Sequence, residues 1–422
     1  MDLSRHPCFN ADMRGRYGRV HLPVAPRCNI QCNYCNRSYD CVNESRPGVT
    51  SAVLTPDQAM AYLAFVMQEI KNISVVGIAG PGDPFANPEQ TMKTLALVRE
   101  RYPDMICCLA TNGLGIGPYI DELATLNVSH VTITLNALAP EIGSRIYAFV
   151  RHGKKVLSPT AGFSILLEKQ LDAIAGLKEK NITTKVNTII LPGINDHHIE
   201  TVAKKMAEMD VDIFNCIPFY PNEGSAFNDL KTPDKAAVNA IRNRAKQHLP
   251  QMFHCARCRA DAVGILGEAN SAEIMEKLQE CANLPEILNE TRPHVAVASL
   301  EGKLINQKLG KAEKLFIYKK EGDNITLVET RKTPEPGGGM QRWEDLGELI
   351  SDCRALLVAG IGDNPRRALS RKLIDILELD GLIEDAVEAV FEGHSMNYML
   401  RRDIEACNKP CASTGMAGMG CM

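Results

Sequence analysis

The sequence predicts an α/β fold: a full or partial (β/α) barrel followed by a second, smaller α/β domain. Through about the first 260 residues, short β-branched apolar runs alternate with amphipathic helical stretches, the pattern of repeated βα units. After residue 268 this spacing changes, and a new alternation begins at His294. Six parallel strands with outer helices would form the barrel, and a doubly wound open sheet is the alternative. In both folds the chemistry lies at the carboxyl ends of the strands.

Periodicity and boundary residues place the elements of the first part. Thr55 offers a capping hydroxyl and Pro56 suits the first helical position, so a helix is predicted over Thr55–Ile70. The other predicted helices are Pro88–Glu100, Ile199–Met209 and Lys235–His248. The predicted strands are Gly18–Val24, Ser74–Ala79, Ile106–Ala110, His130–Leu135, Lys185–Leu191 and Ile213–Pro218.

Four segments are predicted along the chain: a barrel with its N-terminal segment (1–268), a helix and linker (269–293), a small α/β domain (294–405) and a flexible tail rich in Cys, Gly and Met (406–422). In the later segments the predicted helices are Asn270–Leu284, Trp343–Cys353 and Pro365–Leu377. The predicted strands there are His294–Ser299, Leu315–Lys319, Thr326–Thr330 and Ala355–Val358.

Composition excludes several classes of protein. The 422 residues are 45% hydrophobic and 23% charged, which is ordinary for a globular chain. A net charge of −4 provides no basic field for nucleic acid or anionic lipid. The first residues lack the apolar core of a secretion signal, and no apolar run is long enough to span a bilayer. We therefore expect a cytoplasmic protein that binds neither nucleic acid nor membrane.

The 15 cysteines indicate metal or redox chemistry. Without an export signal the thiols should stay reduced, and clustered reduced cysteines typically bind metal. An odd total also argues against a simple set of disulfide pairs. Five cysteines lie in the first tenth of the chain, and Cys255 and Cys258 form a separate C-x-x-C pair.

Cys28, Cys32 and Cys35 follow directly after a predicted strand. Three close thiolates can hold three irons of a cubane cluster and leave the fourth iron open for a substrate. The alternative, a structural zinc knot, normally completes four ligands in two paired knuckles. The spacing, with Tyr34 before the third cysteine, resembles the signature of the radical S-adenosylmethionine (SAM) superfamily. That resemblance implies a [4Fe-4S] cluster whose open iron chelates SAM and whose electron releases a 5′-deoxyadenosyl radical.

A glycine-rich loop supports this resemblance. Gly80, Pro81, Gly82 and Asp83 end a predicted strand and resemble the loop that contacts the SAM amino group in that superfamily. Taken alone, the loop would be an ordinary βα turn. Further candidate SAM contacts at strand ends are Thr111, Asn112, Asn136 and Asn187. Glu44 and Arg46 are candidate contacts to SAM or a cluster, with ion-paired loop residues as the alternative, and the same holds for Arg259 and Asp261.

Longer runs resemble one family within that superfamily. VAPRCNIQCNYCNRSYDC, NESRPG, GIAGPGDPFANP, LATNGL, HVTITLNALAPEIG, LPGINDHH and HCARCRADAVGILGE, which span most of residues 6–268, resemble the NifB family of nitrogenase cofactor biosynthesis. The resemblance implies one SAM-binding cluster and two [4Fe-4S] substrate clusters, K1 and K2. It also implies that K1 and K2 fuse around a SAM-derived carbide, with one more sulfur, into the [8Fe-9S-C] precursor NifB-co.

The resemblance also assigns the ligands. By motif position, Cys28, Cys32 and Cys35 hold the SAM cluster. The candidates for the substrate clusters are Cys8, His21, Cys41, Cys108, Cys255 and Cys258, with their division between K1 and K2 left open. His21 is hypothesised to be the labile ligand that lets the product leave. Side chains alternate along a strand, so only one of Cys107 and Cys108 can face a cavity, and Cys108 matches the family position. Cys216 is expected in the core.

Residues 294–405 resemble the NifX/NafY-type domains, which implies a ribonuclease-H-like fold that binds the iron–molybdenum cofactor or its precursors. Gly337, Gly338 and Gly339 with His394 would receive an anionic cluster, or would be a flexible loop and a surface residue. The implied partners are cluster donors, cofactor-carrier or scaffold proteins, and an electron donor such as ferredoxin. Two other functions remain open at this point: a molybdopterin-synthesis type of radical SAM enzyme, and a non-enzymatic iron–sulfur scaffold.

Overall fold

The computed structural model describes residues 2–43, 49–153, 155–255, 258–266, 270–284, 292–322, 324–372 and 374–393, with 396 and 399. The chain divides into two compact units, Met1–Glu286 and Ile287–Met422. This division falls inside the segment 269–293 that was predicted to be a helix and a linker. In the described part of the chain, no helix is both long and apolar enough to cross a membrane.

The first unit contains the six strands predicted before residue 268 and the five helices predicted before residue 285, with bounds shifted by a few residues. Its strands are β1 (Gly18–His21), β2 (Ile30–Cys32), β3 (Ile73–Ile78), β4 (Ile106–Thr111), β5 (Val128–Thr134), β6 (Tyr147–His152), β7 (Lys155–Leu157), β8 (Thr183–Ile190), β9 (Ile213–Pro218) and β10 (Val263–Gly264). Its helices are α1 (Pro56–Glu69), α2 (Pro88–Arg101), α3 (Ile120–Thr125), α4 (Pro140–Ile146), α5 (Pro159–Glu179), α6 (Ile199–Glu208), α7 (Lys235–Ala245) and α8 (Ala272–Ala282). The predicted capping of α1 by Thr55 is confirmed, because its side chain accepts from the Gln58 N–H while Gln58 Oε1 accepts from the Thr55 N–H.

The main sheet has the strand order β10-β1-β3-β4-β5-β8-β9. The six predicted strands pair in parallel, and β10 pairs antiparallel with β1. Their order follows the chain without a reversal, whereas a doubly wound sheet reverses direction at a switch point. The fold is therefore an open, partial (β/α) barrel.

Local chemistry sets the returns from helices to strands. Four of these turns place a residue in the left-handed region with φ between 53° and 67°, and they use the residue types that tolerate it: Asn72, Asn127, Asn181 and Asp210. Apolar residues of the strands and surrounding helices then form one large buried cluster. These turns and this core fix the carboxyl ends of the strands at one edge of the sheet.

A second, three-stranded sheet, β2-β6-β7, was not predicted. Strand β2 contains Cys32 and pairs antiparallel with β6. The Asn33 N–H donates to the Ile146 carbonyl at 2.8 Å, and the Arg151 N–H donates to the Asn29 carbonyl at 2.8 Å. The small sheet therefore anchors the segment that carries the three close cysteines.

The second unit is a five-stranded mixed sheet with three helices among its described residues. The strands are β11 (His294–Val297), β12 (Lys314–Glu321), β13 (Asn324–Lys332), β14 (Cys353–Val358) and β15 (Asp375–Glu378), and the helices are α9 (Gln341–Leu349), α10 (Asp363–Ser370) and α11 (Ile383–Glu392). The order is β13-β12-β11-β14-β15. Only β12 runs antiparallel to its neighbours, which is the arrangement of a ribonuclease-H-like fold.

Two predicted helices of this unit were too long. The helix predicted over Trp343–Cys353 ends at Leu349, and Cys353 is the first residue of β14. The helix predicted over Pro365–Leu377 ends at Ser370, and its last residues belong to β15. The parallel pairing of β15 with β14 satisfies the backbone of this segment, so tertiary pairing overrides its local helical period.

Candidate functional site

Two adjoining cavities contain most of the predicted site residues. The first encloses about 450 Å³, part of it open to solvent, and is lined by Cys28, Cys32 and Cys35. The second encloses about 550 Å³, also partly open, and is lined by other predicted ligands. Both cavities are lined by Ala79, which directly follows β3, and by Ala110, the second-last residue of β4. The two cavities therefore adjoin each other at these two alanines.

In the first cavity, the chain brings the three thiols together through a tight local turn. The Cys35 N–H donates to the Cys32 carbonyl at 3.0 Å, and the Gln31 amide donates to the Cys35 carbonyl at 2.8 Å. Burial raises the pKa of the Cys28 thiol to about 11. It raises the pKa of Cys32 well above its usual value, and the neighbouring Cys35 and Cys28 add to this shift. Cys32 is buried and Cys28 and Cys35 are half-buried. Three thiolates in such a place need a cationic centre, and the irons of a cluster would supply one.

The glycine-rich loop packs against the segment that leads into Cys28. The Gly82 N–H donates to the Ala25 carbonyl at 2.6 Å, and the Asp83 N–H donates to the Arg27 carbonyl at 2.6 Å. A Cβ on Gly82 would lie 2.0 Å from the Arg27 carbonyl oxygen, so this backbone approach requires glycine. Gly82 and Asp83 line the cavity, whereas Gly80 and Pro81 are not among its described lining residues.

Asp83 joins the glycine-rich loop to the next strand end. Its buried carboxylate accepts from the Thr111 hydroxyl at 3.0 Å and from the Asn112 N–H at 2.6 Å. Desolvation raises the pKa of this carboxyl, although these hydrogen bonds act in the opposite direction. The Asn112 amide in turn reaches the Cys28 sulfur at 3.8 Å. Asp83 therefore orients two cavity residues, both predicted from the sequence.

Asn136 and Asn187 have their amides engaged within the protein, and neither is among the described lining residues of the cavity. Asn136 donates to the Tyr34 hydroxyl at 2.8 Å and accepts from the Ile189 N–H at 2.9 Å. Asn187 donates to the Asn43 carbonyl and accepts from the Asn215 amide at 3.0 Å. Their role as SAM contacts stays a prediction, and Glu44 and Arg46 lie outside the described residues.

Several lining residues of the first cavity were missed as site residues, among them Asn43 and Arg37. Asn43 accepts from the Tyr34 hydroxyl at 2.6 Å, and Arg37 places its charge beside the thiols, where it acts against the rise in the pKa of Cys35. Both residues directly follow the cysteine triplet and its neighbour Cys41, so proximity in the sequence could have suggested them. Cys41, predicted as a substrate-cluster ligand, also lines this first cavity.

The second cavity gathers predicted ligands that are far apart in the sequence: Cys8, His21, Cys108, Cys255 and Cys258. The choice between the two adjacent cysteines of β4 agrees with the structure. Cys107 belongs to the apolar core, while Cys108 lines the cavity. Cys216 is buried in the same core, as expected.

His21 is oriented as a metal-binding imidazole would be. Its Nδ1 lies 2.9 Å from the Arg259 carbonyl oxygen, which can only accept, so Nδ1 carries the proton and Nε2 keeps its lone pair. Burial, then Arg19, lowers the pKa of His21 to about 4, so the ring is neutral near pH 7. Gly77 provides the space that the His21 ring and the Cys108 side chain occupy, because a Cβ at residue 77 would lie 3.1 Å from His21 Nε2 and 3.2 Å from Cys108 Sγ.

Two buried cations, one lining this cavity and one behind its Cys258, were not predicted. Arg19 is 2% exposed and its guanidinium donates twice to Cys258 Sγ, at 3.3 and 3.2 Å. Lys185 is 6% exposed and lines the cavity. Burial and the neighbouring Cys258 thiol raise the pKa of Cys8 to about 12, and Lys185 and Arg19 act in the opposite direction. Both cations suit an anionic guest, but neither belongs to a sequence motif.

The remaining predicted positions lie elsewhere. Arg259 and Asp261 form an ion pair at 3.0 Å, and Asp261 also accepts from the Ser51 N–H, so this pair holds loops together. Gly337, Gly338 and Gly339 all have positive φ, and His394 lies outside the described residues. Within the described ranges, no three His, Cys, Asp or Glu side chains form a site for a single metal ion.

Comparisons with known proteins identify both units. The family model of the radical SAM superfamily matches residues 22–206, and the model described as dinitrogenase iron-molybdenum cofactor matches residues 292–393. The chain is 53% identical to the FeMo cofactor biosynthesis protein NifB of Chlorobaculum tepidum, over 98% of this chain and 99% of that protein. It is 39% identical to NifB of Klebsiella pneumoniae, over 88% and 86% of the two chains, and 34% identical to NifB of Azotobacter vinelandii, over 92% and 88%. The chain therefore belongs to the NifB family, radical SAM enzymes of FeMo cofactor biosynthesis.

Proposed function

We propose that the chain fuses two [4Fe-4S] substrate clusters, K1 and K2, into the [8Fe-9S-C] precursor of the nitrogenase cofactor. SAM supplies the central carbide, and one further sulfur completes the product. The first cavity would cleave SAM, and the second would hold cluster substrate. This proposal combines the family of the chain with the cavity geometry.

The shared wall of Ala79 and Ala110 is the observation that supports this function most strongly. A primary carbon radical reacts with whatever C–H bond it meets, so the site that makes it must adjoin the site that uses it. The side chains of these two shared residues are single methyl groups, which suits two sites that must lie close together. A scaffold that only stored iron and sulfur would not need a SAM-shaped cavity beside its store.

In the first cavity, Cys28, Cys32 and Cys35 would hold the resident cluster through their thiolates. When bound and reduced, that cluster supplies the electron that splits the sulfonium of SAM. The chain's own part is to orient the ligand. Asp83 fixes the Thr111 hydroxyl and the Asn112 backbone, which leaves the cavity wall rigid before SAM arrives.

In the second cavity, the thiolates of Cys8, Cys108, Cys255 and Cys258 and the Nε2 atom of His21 would bind substrate iron. Cys41 lines the first cavity, and we keep it as a further substrate-cluster ligand. A neutral imidazole binds iron more weakly than a thiolate does, so His21 would be the ligand that releases the product. Arg19 and Lys185 would balance the negative charge of thiolates and sulfides.

Anaerobic reconstitution of the full chain tests this function. We expect about twelve irons per chain, four for each of three cubane clusters, and 5′-deoxyadenosine when dithionite and SAM are added. Cys28→Ala should abolish formation of 5′-deoxyadenosine but retain iron in the second cavity. Cys258→Ala should lose iron from the second cavity but still form 5′-deoxyadenosine. Bound zinc at the triplet, or about four irons in total, would refute the function.

For the second unit we propose that it receives the product cluster and passes it to carrier proteins of nitrogenase maturation. Three successive glycines with positive φ expose backbone N–H groups that can bind an anionic cluster. Joining a carrier to the enzyme raises the local acceptor concentration. A chain that ends at Pro293 should form product normally but transfer it to an acceptor protein more slowly; an unchanged transfer rate would contradict this role.

A further inference from the structure

His6 is a buried imidazole of the second cavity that the ligand assignment does not use. It is 1% exposed and lines the cavity together with Cys8 and His21. Its Nε2 atom is buried and has no hydrogen-bond partner among the described residues. Burying a polar ring atom without a partner costs free energy, so a partner is expected when the cavity is filled.

The tautomer of His6 follows from its other nitrogen. The Cys8 backbone N–H donates to His6 Nδ1 at 3.2 Å, so Nδ1 must present a lone pair. In a neutral imidazole one nitrogen accepts and the other carries the proton, which places the proton of His6 on Nε2. The unpartnered atom at the cavity is therefore an N–H donor, which has no lone pair to offer to iron.

Neighbouring rings hold the His6 imidazole in place. Its centroid lies 4.7 Å from that of Phe9 and 4.4 Å from that of His130. His130 itself is fixed by the Ser129 hydroxyl, 2.8 Å from its Nδ1. Rotating the His6 ring to exchange its nitrogens would break the Cys8 hydrogen bond and disturb this packing.

His21, in the same cavity, has the opposite arrangement. Its Nδ1 donates to the Arg259 carbonyl, which leaves the lone pair on Nε2 free to bind iron. We propose that His6 donates an Nε2–H hydrogen bond to a sulfide of the cluster in the second cavity and is not a ligand. This inference rests on the proposed function, because it requires a cluster there. Hydrogen bonds to cluster sulfur raise the reduction potential, since they stabilise the more negative state.

Three variants of the reconstituted full chain test the assignment: His6→Phe, which keeps a ring of similar size, His6→Gln, which keeps an N–H donor, and His21→Ala. We expect His6→Phe to retain parental iron but to shift the midpoint of one auxiliary cluster negatively. The expected shift is a tenfold change in the ratio of reduced to oxidised cluster, which is about 59 mV for one electron. The midpoint potential of His6→Gln should lie closer to that of the parent chain. The control His152→Phe, at an exposed position, should have the same midpoint potential as the parent chain.

Pulsed EPR of samples with ¹⁵N-labelled histidine separates the two imidazoles. The strong coupling of an iron-bound nitrogen should survive in His6→Phe and disappear in His21→Ala. Loss of that coupling or of cluster iron in His6→Phe would show that His6 is a ligand. An unchanged midpoint potential in a fully loaded His6→Phe protein would show that His6 does not donate the proposed hydrogen bond. A parent chain with iron only at the cysteine triplet would instead overturn the proposed function.

Discussion

The two cavities are built from the chain in different ways. The first takes its sulfur ligands from one short segment, residues 28–35, which the small sheet and the glycine-rich loop hold in place. The second takes its candidate ligands from both ends of the first unit and from strands β1 and β4. A local motif therefore supplies the three sulfur ligands of the first site, whereas the candidate ligands of the second come together only in the completed fold.

The two cavities also differ in charge. Arg19 and Lys185 are buried beside the thiols of the second cavity. In the first, Arg37 is exposed and the buried charged group is the carboxyl of Asp83. Buried charges need partners of opposite sign, so the second cavity is suited to a strongly anionic guest. The first is suited to a ligand such as SAM that carries both signs.

The largest expected effect separates the chemistry of the two cavities. Cys32→Ala removes a buried ligand of the triplet, so 5′-deoxyadenosine formation should fall to background. Iron content should fall by about four per chain, while the second cavity stays loaded. Cys216→Ala is the matched control, because Cys216 is an equally buried thiol of the core. Near-normal 5′-deoxyadenosine from Cys32→Ala would contradict the assignment of the first cavity.

Arg19→Met should act on the second cavity alone. It removes both hydrogen bonds to Cys258 Sγ and leaves the carbonyls of Gly264 and Ile265 without their donor. Loss of a group that supports a metal ligand lowers metal affinity by about 10–100-fold. Auxiliary iron should therefore be lost at a correspondingly lower chelator concentration, with SAM cleavage retained. Arg244→Met, at an exposed position, serves as the control. If both variants retained the iron of the second cavity equally well, Arg19 would not support that site.

Two glycines provide a paired test of the cavity walls. A Cβ on Gly82 would lie 2.0 Å from a backbone oxygen, whereas one on Gly77 would lie 2.8 Å from the His21 ring. Overpacking of this kind costs about 1–3 kcal/mol, with Gly82→Ala at the upper end because backbone yields less. Gly82→Ala should impair SAM cleavage, and Gly77→Ala should impair auxiliary iron binding. In Gly15→Ala the added Cβ meets nothing within 4 Å, and this variant should resemble the parent.

The smallest effect concerns pH and His130, the imidazole that packs against His6 beside the second cavity. Burial lowers the pKa of His130 to about 4, against about 6.5 in an unfolded chain. The unfolded state therefore binds the proton first, and the stability contributed by neutral His130 is lost as pH falls from about 6.5 towards 4. Between pH 7 and 5 the metal-free chain should lose about 2 kcal/mol through this residue. In urea unfolding, the free energy of unfolding of His130→Phe should fall less between pH 7 and 5, because the contribution of His130 is absent. His152→Phe, at an exposed position, should show the same fall as the parent chain.

The sequence predicted the strands, the partial barrel and the cysteine triplet because each depends on local periodicity or spacing. The parallel strand pairs needed only the order of βα units along the chain. Arg19 and Lys185 could not be predicted in the same way, since a charged residue on a strand is normally exposed and only the folded sheet shows that these two are buried. The role of His6 could not be predicted either, because it depends on the tautomer that the Cys8 N–H fixes in the folded chain.

The errors in the second unit have a related cause. The segment after Ser370 has a helical period, but it pairs in parallel with the edge of β14 that β11 leaves unpaired and so forms strand β15. Cys353, predicted to lie on a helix, starts β14 for the same reason: pairing with β11 decides its conformation. Local sequence predicts structure well where a short segment contains its own ligands or helix caps. It predicts structure less well where a strand that is distant in the sequence supplies the backbone hydrogen bonds.

The contact between the two ends of the first unit has a consequence for biosynthesis of the chain itself. His254 donates from Nε2 to the Cys8 carbonyl at 3.1 Å, which joins the N-terminal segment to residues that the ribosome adds some 250 positions later. Chains fold from the N-terminus as they emerge, so the cysteine triplet is available early in translation. The second cavity has no complete wall until that late segment has left the exit tunnel. Under the proposed function, a truncated or unfinished polypeptide therefore cannot hold substrate clusters in this cavity, and iron delivery to it requires a chain that already contains the late segment.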